Sequence, residues 1–349
     1  MDYVSLIKKM NNAVIFGGCG FIGLYLAEEL TNLNKYERIY LVDIQEPRDT
    51  FCNSKYLDLL KSKKIFFINA DVRNNLNNID IKDSVSLIVN LAAIHKEPGH
   101  LPDEYFDTNV NGAKNICNFA DKFNCKNIIF TSSIAVYGVG DHEKNEGTEP
   151  QPSTPYGKSK FEAEKIHMNW QKKNDPELIL SICRPGVVFG AGEKGNVTRL
   201  VKFIKKRLFF YMGNEKLKKG GIYIKELTNI LIWANNNQSD NKFANLAVFN
   251  ACMHPCPTLE NFAKSISNQY NYSGRFISLP KIIIKFFLFL SFMFTKIFKK
   301  NNSLNYYRLI KLFKSNTIVP NYLIQNEYTF KYNLDTSFND WKKTNQSDW

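Results

Sequence analysis

Apolar residues recur along the first two-thirds of the chain as short runs, most of them followed by a stretch with helical spacing. Asn12 to Phe16, Arg38 to Val42, Lys64 to Asn69, Ser86 to Asn90, Asn127 to Thr131 and Leu178 to Cys183 have the length of strands. Such short, nearly continuous apolar runs fit strands covered on both faces, as in a parallel sheet. Between them, amphipathic stretches run to Leu33, cover Pro102 to Phe123, and begin again at Tyr156. Strands alternating with helices predict an α/β fold, a doubly wound parallel sheet of the Rossmann type. Ligands of such a sheet lie across the carboxyl ends of its strands. Further on, helices are expected from about Val197 to Leu208 and from Tyr223-Ile224-Lys225-Glu226-Leu227 to Trp233.

The residues at those strand ends carry the first candidate chemistry. After Phe16 comes Gly17-Gly18-Cys19-Gly20-Phe21-Ile22-Gly23, a strand–turn–helix junction. Glycines at 17, 20 and 23 let the backbone turn tightly and approach a diphosphate, which sits at the positive helix N-terminus lined by Phe21 and Ile22. Asp43 closes the next strand, twenty residues after Gly23. An acid there accepts from the adenosine ribose hydroxyls and repels a 2′-phosphate, so the expected cofactor is NAD and not NADP. The fourth strand ends in Leu91-Ala92-Ala93, small residues that let a cofactor lie close, and His95 follows as a candidate substrate contact. Asn109 reads as a hydrogen-bonding buttress of the site.

The fifth strand runs into Thr131-Ser132-Ser133-Ile134-Ala135, and about twenty residues later comes Tyr156-Gly157-Lys158-Ser159-Lys160. Residues at i and i+4 share a helix face, so Lys160 is expected beside the Tyr156 phenol. A neighbouring cation favours the phenolate and lowers a pKa that is normally about 10. Tyr156 would then serve as a proton acceptor near neutral pH.

In combination these residues resemble the extended short-chain dehydrogenase/reductase superfamily, in its NAD-dependent sugar epimerase/dehydratase branch, over roughly residues 12 to 270. The resemblance implies that Gly17, Gly20 and Gly23 hold the diphosphate, Asp43 the ribose, and Asp71 with Val72 the adenine. It implies Tyr156 as catalytic base, Lys160 on the nicotinamide ribose, and Ser133 on the reacting oxygen. Lys219 falls where such enzymes carry a basic residue for the substrate diphosphate. Dehydratases of the branch place Asp-Glu directly after the catalytic Ser/Thr; Ile134 and Ala135 stand there instead, which disfavours dehydration and leaves epimerisation at one carbon. Phe130-Thr131-Ser132-Ser133, Arg184-Pro185, Gly195-Asn196-Val197 and Ala92-Ala93-Ile94-His95-Lys96 look like a membrane-associated subgroup that interconverts GlcNAc and GalNAc on undecaprenyl diphosphate, with Asn196 among its substrate contacts. The expected divisions are 1–180 for the NAD-binding Rossmann domain, 181–280 for a substrate-binding part, 281–314 for a membrane-interface segment and 315–349 for a tail.

Charge changes the picture at one place. The chain carries a formal +13, but residues 281–314 hold eight Lys/Arg and no acid. Ile282 to Phe298 is almost wholly apolar, and its longest uninterrupted span is half of the roughly 20 residues a crossing helix needs. On a helical wheel Lys281, Lys285, Lys296, Lys299 and Lys300 fall within one arc of about 100°. A wide apolar face with a narrow lysine stripe describes a helix lying in the membrane interface; packing into a core or a homodimer contact, and a spanning helix, are the alternatives. The basic residues are interleaved with aliphatics and not with a groove pattern, which disfavours nucleic acid. Seven scattered cysteines without C-x-x-C suit a reducing compartment and no metal site. Taken together, the expectation is a cytoplasmic enzyme on the inner face of the cell membrane, acting on a lipid-linked sugar diphosphate. A soluble UDP-sugar 4-epimerase, a membrane-associated hydroxysteroid-type dehydrogenase and a non-catalytic NAD-binding scaffold remain as rival readings.

Overall fold

Asn12–Phe16 forms β1, buried at all five positions, as a strand covered by helices on both faces must be. The structure is a computed structural model that describes residues 11–47, 50–81, 83–97, 99–173, 175–273, 276–280, 282 and 314–349. The basic amphipathic segment expected at 281–314 thus lies outside the described residues, except for Ile282 and Lys314. Among the described residues no helix is long and apolar enough to cross a membrane.

The chain divides into two compact units. One is built from residues up to Val136, from Pro150–Pro185 and from Ile224–Phe249; the other from Tyr137–Glu149, Gly186–Tyr223 and residues from Asn250 onward. In the first unit β1 is followed by β2 (Arg38–Asp43), β3 (Ile65–Asn69), β4 (Val85–Asn90), β5 (Asn127–Thr131) and β6 (Ile179–Pro185). Short β7 (Val187–Phe189), β8 (Tyr211–Met212) and β9 (Gly221–Tyr223) come next, then β10 (Leu246–Ala251) and β11 (Ser278–Leu279). The main sheet has seven strands in the order β10-β6-β5-β4-β1-β2-β3, and the pairings from β6 through β3 are parallel. The expected doubly wound parallel sheet is therefore present. Its order reverses between β1 and β4, the switch point beside which a ligand is expected to lie.

Helices α1 (Phe21–Asn32), α2 (Thr50–Leu60), α3 (Pro102–Phe106), α4 (Gly112–Lys122), α5 (Pro155–Gln171) and α7 (Ile224–Ser239) accompany the sheet, and α6 (Asn196–Lys205) and α8 (Leu259–Asn268) belong to the second unit. Edge-to-face contact of Phe16 with Phe119, centroids 5.3 Å apart, locks β1 to α4. The single helix read over Pro102 to Phe123 is broken by a π-helical stretch, Asp107–Asn111, between α3 and α4. In the second unit the fully buried Phe189 contacts Tyr223, Phe262 and Phe338 at 5.3–5.7 Å. Residues 316–319 thread through that unit: Asn316 exchanges backbone hydrogen bonds with Lys218 and Gly220, and Thr317 and Val319 with Lys144.

Candidate active site

Crowding explains the glycine loop. Gly17 leaves β1 at φ +74°, and a Cβ there would stand 2.8 Å from Ala92 N, at the end of β4. A Cβ on Gly18 would meet Ile15 O at 2.7 Å, whereas one on Gly20 would meet only Gly17 O at 3.2 Å. Gly17 is thus required by the fold, and Gly20 keeps the start of α1 open. Gly20 is also the N-cap of α1 and has no side chain to satisfy the first-turn N–H groups, which then face outward as donors for an anion. Gly17→Ala is expected to destabilise the protein by about 1–3 kcal/mol, seen as a lower melting temperature. Gly20→Ala should melt like the wild type and show its defect only in a fluorescence titration with NAD.

Asp43 stands at the end of β2 and accepts from Cys19 N–H at 3.1 Å and Ile44 N–H at 2.8 Å. Burial pushes its carboxyl up, and these backbone donors partly oppose that. At the end of β3, Asp71 is engaged by the Arg73 guanidinium at 2.6–3.0 Å, which holds its carboxyl below the ordinary range. Val72 is pinned to α4 by Asn115 Nδ2 donating to its carbonyl at 2.8 Å. Two buried polar atoms at neighbouring strand ends, Asn90 Oδ1 and Ser132 Oγ, have no hydrogen-bond partner among the described residues. A glycine turn against Ala92, an uncapped helix start, an acid closing β2 and orphaned polar atoms fit a dinucleotide across the strand ends.

The chemistry sits where β5 meets α5. Thr154 caps α5 by accepting from Gly157 N–H at 3.1 Å, and Pro155 occupies its first turn. A Cβ on Gly157 would lie 2.6 Å from Ala135 O, so this glycine lets the helix start press against the turn after β5. Ser133 is thereby set close enough to the Tyr156 phenol to lower its pKa. Ser133 Oγ also accepts from Ala135 N–H at 3.1 Å, which orients the hydroxyl.

Tyr156, Lys160, Glu164 and His167 follow one face of α5, spaced by about a turn each. Lys160 is buried, its Nζ 4.4 Å from the Phe130 ring centroid. Glu164 is fully buried and paired with Arg184 from β6, Nε to Oε1 at 2.9 Å and Nη2 to Oε2 at 2.6 Å. His167 stacks on Phe130 at 4.2 Å. Its Nδ1 faces Ala163 O at 2.8 Å and must donate, so Nε2 accepts from Asn90 Nδ2 at 3.3 Å. Burial holds this imidazole neutral, with its pKa down at about 4.

One electrostatic expectation is corrected. Lys160 does not lower the Tyr156 phenol here: burial pushes Tyr156 up to about 12, Ser133 pulls it back, and Glu97 adds to the rise. Burial likewise brings Lys160 down to about 7, against the pull of Glu164. The ammonium rests on an aromatic face with its nearest charge in Glu164, so desolvation outweighs help to the phenol.

Asn109 lies in the π-helical stretch and clamps two parts of the site. It accepts from Ile94 N–H at 3.0 Å and donates to Ile94 O at 3.2 Å and to Ser159 Oγ at 2.8 Å; Ser159 in turn donates to Tyr156 O at 2.9 Å. A π-bulge at a functional site is a recurrent device. His95 follows Ile94 on the loop held by Asn109 and is exposed; desolvation first and the Lys160 charge second lower its pKa. In the second unit, Asn196 opens α6 and accepts from Arg199 at 2.8 Å. Lys219 is half-buried, donates to Lys314 O at 2.7 Å, and is brought down to about 8 by burial. Sequence reasoning missed the roles of Glu164 and Glu97, whereas His167, read as a structural residue of the Tyr156 helix, is buried and hydrogen-bonded there. Glu164 alone had a local signal, one turn beyond Lys160.

The chain is similar to known proteins in sequence and in fold. The sequence model of the 3-beta hydroxysteroid dehydrogenase/isomerase family matches residues 14–281. N-acetyl-alpha-D-glucosaminyl-diphospho-ditrans,octacis-undecaprenol 4-epimerase of Escherichia coli O157:H7 is 28% identical over 276 residues, covering 77% of this chain and 76% of that protein. A decarboxylating sterol-4-alpha-carboxylate 3-dehydrogenase of Candida albicans is 30% identical over 195 residues, covering 54% of this chain and 53% of its own length. UDP-glucuronic acid 4-epimerase from Bacillus cereus, solved in complex with NAD, superposes with a TM-score of 0.73 at 16% identity, over 97% of this chain and 100% of that one; this likeness is one of fold.

Proposed function

The chain belongs to the 3-beta hydroxysteroid dehydrogenase/isomerase family, and from that premise we propose that it is an NAD-dependent 4-epimerase of diphosphate-linked sugars. The observation that carries this reading is Tyr156 one helical turn from buried Lys160, with Ser133 at the end of β5 acting on the phenol, and Ile134 and Ala135 standing where an acid pair would serve dehydration. Gly17, Gly20, Phe21, Ile22, Gly23, Asp43, Asp71, Val72, Ala92 and Ala93 would hold NAD, with Tyr156 and Lys160 at its nicotinamide ribose. When bound, NAD supplies the acceptor that takes hydride from C4 and returns it, and a positive charge that favours the Tyr156 phenolate. Tyr156 takes the proton from O4 and later gives it back. Ser133, oriented by Ala135 N–H, donates to the same oxygen throughout. Because hydride is returned, no cofactor is consumed.

The substrate in this proposal is an amino sugar, GlcNAc or GalNAc, on undecaprenyl diphosphate for surface polysaccharide synthesis. His95, Asn196 and Lys219 contact it, and the protein works at the inner membrane surface. Support comes from the E. coli relative and from the cationic, apolar composition of residues 281–314. The Candida relative favours a second reading, net oxidation of a hydroxysteroid-type alcohol.

Purified protein offered undecaprenyl-diphosphate-GlcNAc is expected to form the GalNAc epimer without accumulating NADH, and to turn over UDP-GlcNAc more slowly. Stoichiometric NADH from a sterol alcohol, with neither sugar epimerised, would establish the second reading instead.

A further inference from the structure

Helix α6 ends in a Schellman motif: Leu208 N–H donates to Phe203 O and Arg207 N–H to Ile204 O, both at 2.9 Å. Arg207 takes the left-handed position at φ +57°, where glycine is usual. Its guanidinium lies 5.1 Å from the Tyr272 ring centroid, a cation–π contact that offsets part of the strain. This motif brings its third-from-last helical residue and the residue after the left-handed turn together, here Phe203 and Leu208. Both are exposed, at 51% and 60%.

Further along the chain other apolar residues are also exposed. β8 pairs in parallel with β11, Tyr211 beside Ser278, which places Phe210 beside Ile277 and Phe209 beside Phe276. Side chains alternate across a strand. Phe209 and Phe276 meet edge to face at 5.0 Å on one side, and Phe210 and Ile277 emerge on the other, 44% and 72% exposed. Ile282, 76% exposed, lies three residues past β11. Lys202, Lys205 and Lys206 are exposed around these apolar groups. From Lys194 to Asn214 the chain has six Lys/Arg and no acid.

We propose that this face, formed by Phe203, Leu208, Phe210, Ile277 and Ile282 with a rim of Lys202, Lys205 and Lys206, docks on the headgroup region of an anionic bilayer. The inference rests on the reading of the substrate as membrane-borne and adds a contact outside the 281–314 segment. Charge selects the occupant. A second copy of the same face would oppose cation to cation, and residues 281–314, with eight Lys/Arg and no acid, have the same sign. Exposed aliphatic and aromatic groups ringed by lysines match an interface where apolar tips enter and ammonium groups stay at the phosphates.

Full-length protein is sedimented with vesicles of phosphatidylcholine alone or enriched in phosphatidylglycerol. Binding should require phosphatidylglycerol and weaken with salt. Lys202→Glu/Lys205→Glu/Lys206→Glu should reduce it about 100-fold, with NAD binding and UDP-sugar turnover in vesicle-free buffer unchanged. Phe210→Trp, a mild change, should show fluorescence quenched by brominated lipids. Wild-type vesicle binding by the triple variant, or an unquenched Trp in vesicle-bound protein, overturns this face as the contact while membrane association stands. Absence of wild-type binding to either vesicle, or binding to RNA in its place, overturns both placements. Turnover of the sugar in solution reports separately on the epimerase reading.

Discussion

Tyr156→Phe is expected to lower kcat by about 100- to 10,000-fold, the range for loss of a positioned acid–base group, with NAD affinity and melting temperature close to wild type. The ring stays in place because its surroundings do not depend on the hydroxyl. The centroid of Tyr105 lies 6.4 Å away, and the backbone is held by Ser159 donating to Tyr156 O at 2.9 Å. What is lost is the proton carrier whose pKa Ser133 lowers. Product formation under saturating sugar, with an NAD titration on the same preparation, checks this. Turnover within a factor of two of wild type would remove Tyr156 from the chemistry. Ser133→Ala should fall less far, because the phenol remains.

Arg184→Met is expected to cost about 3–5 kcal/mol of stability, the range for stranding one member of a buried ion pair. Glu164 is fully buried and both its oxygens face the Arg184 guanidinium, at 2.9 and 2.6 Å. Without that partner the carboxylate must be buried as a bare charge or take up a proton. The double variant Glu164→Leu/Arg184→Met should regain most of the stability in denaturant unfolding, since apolar groups of similar size replace buried ion pairs at little cost. Activity should not return with it. Glu164 is the group that supports the Lys160 ammonium against burial, so its removal lowers the Lys160 pKa further and favours the neutral amine. A double variant as unstable as Arg184→Met, or as active as the wild type, would contradict this account.

The legible part of this protein was the part written in local pattern. β1, β2, β5 and the start of α1 lie within a residue or two of where apolar runs and the glycine turn predict them, because a strand buried on both faces has few other compositions. β10 was not legible: Leu246–Ala251 is a short apolar run with no period to tell a strand from a helix. The break in the helix around Asn109 was equally hidden, since a π-helical stretch depends on what the bulged residue bonds to, here Ile94 and Ser159.

Spacing alone put Tyr156 and Lys160 on one face of α5, since the helical period settles that wherever the helix packs. Spacing said nothing of the medium around them. The expectation of a cation-activated phenol followed from two residues and a distance in sequence. Packing buried Lys160 against Phe130, added Glu97 near the phenol, and turned both shifts into desolvation effects. Sidedness explains the difference: periodicity is a property of consecutive residues, while the solvation of a charge is set by everything within several ångströms, most of it distant in sequence. Phe210 and Ile277 show the same origin. They lie more than sixty positions apart, and only the pairing of β8 with β11 sets them side by side.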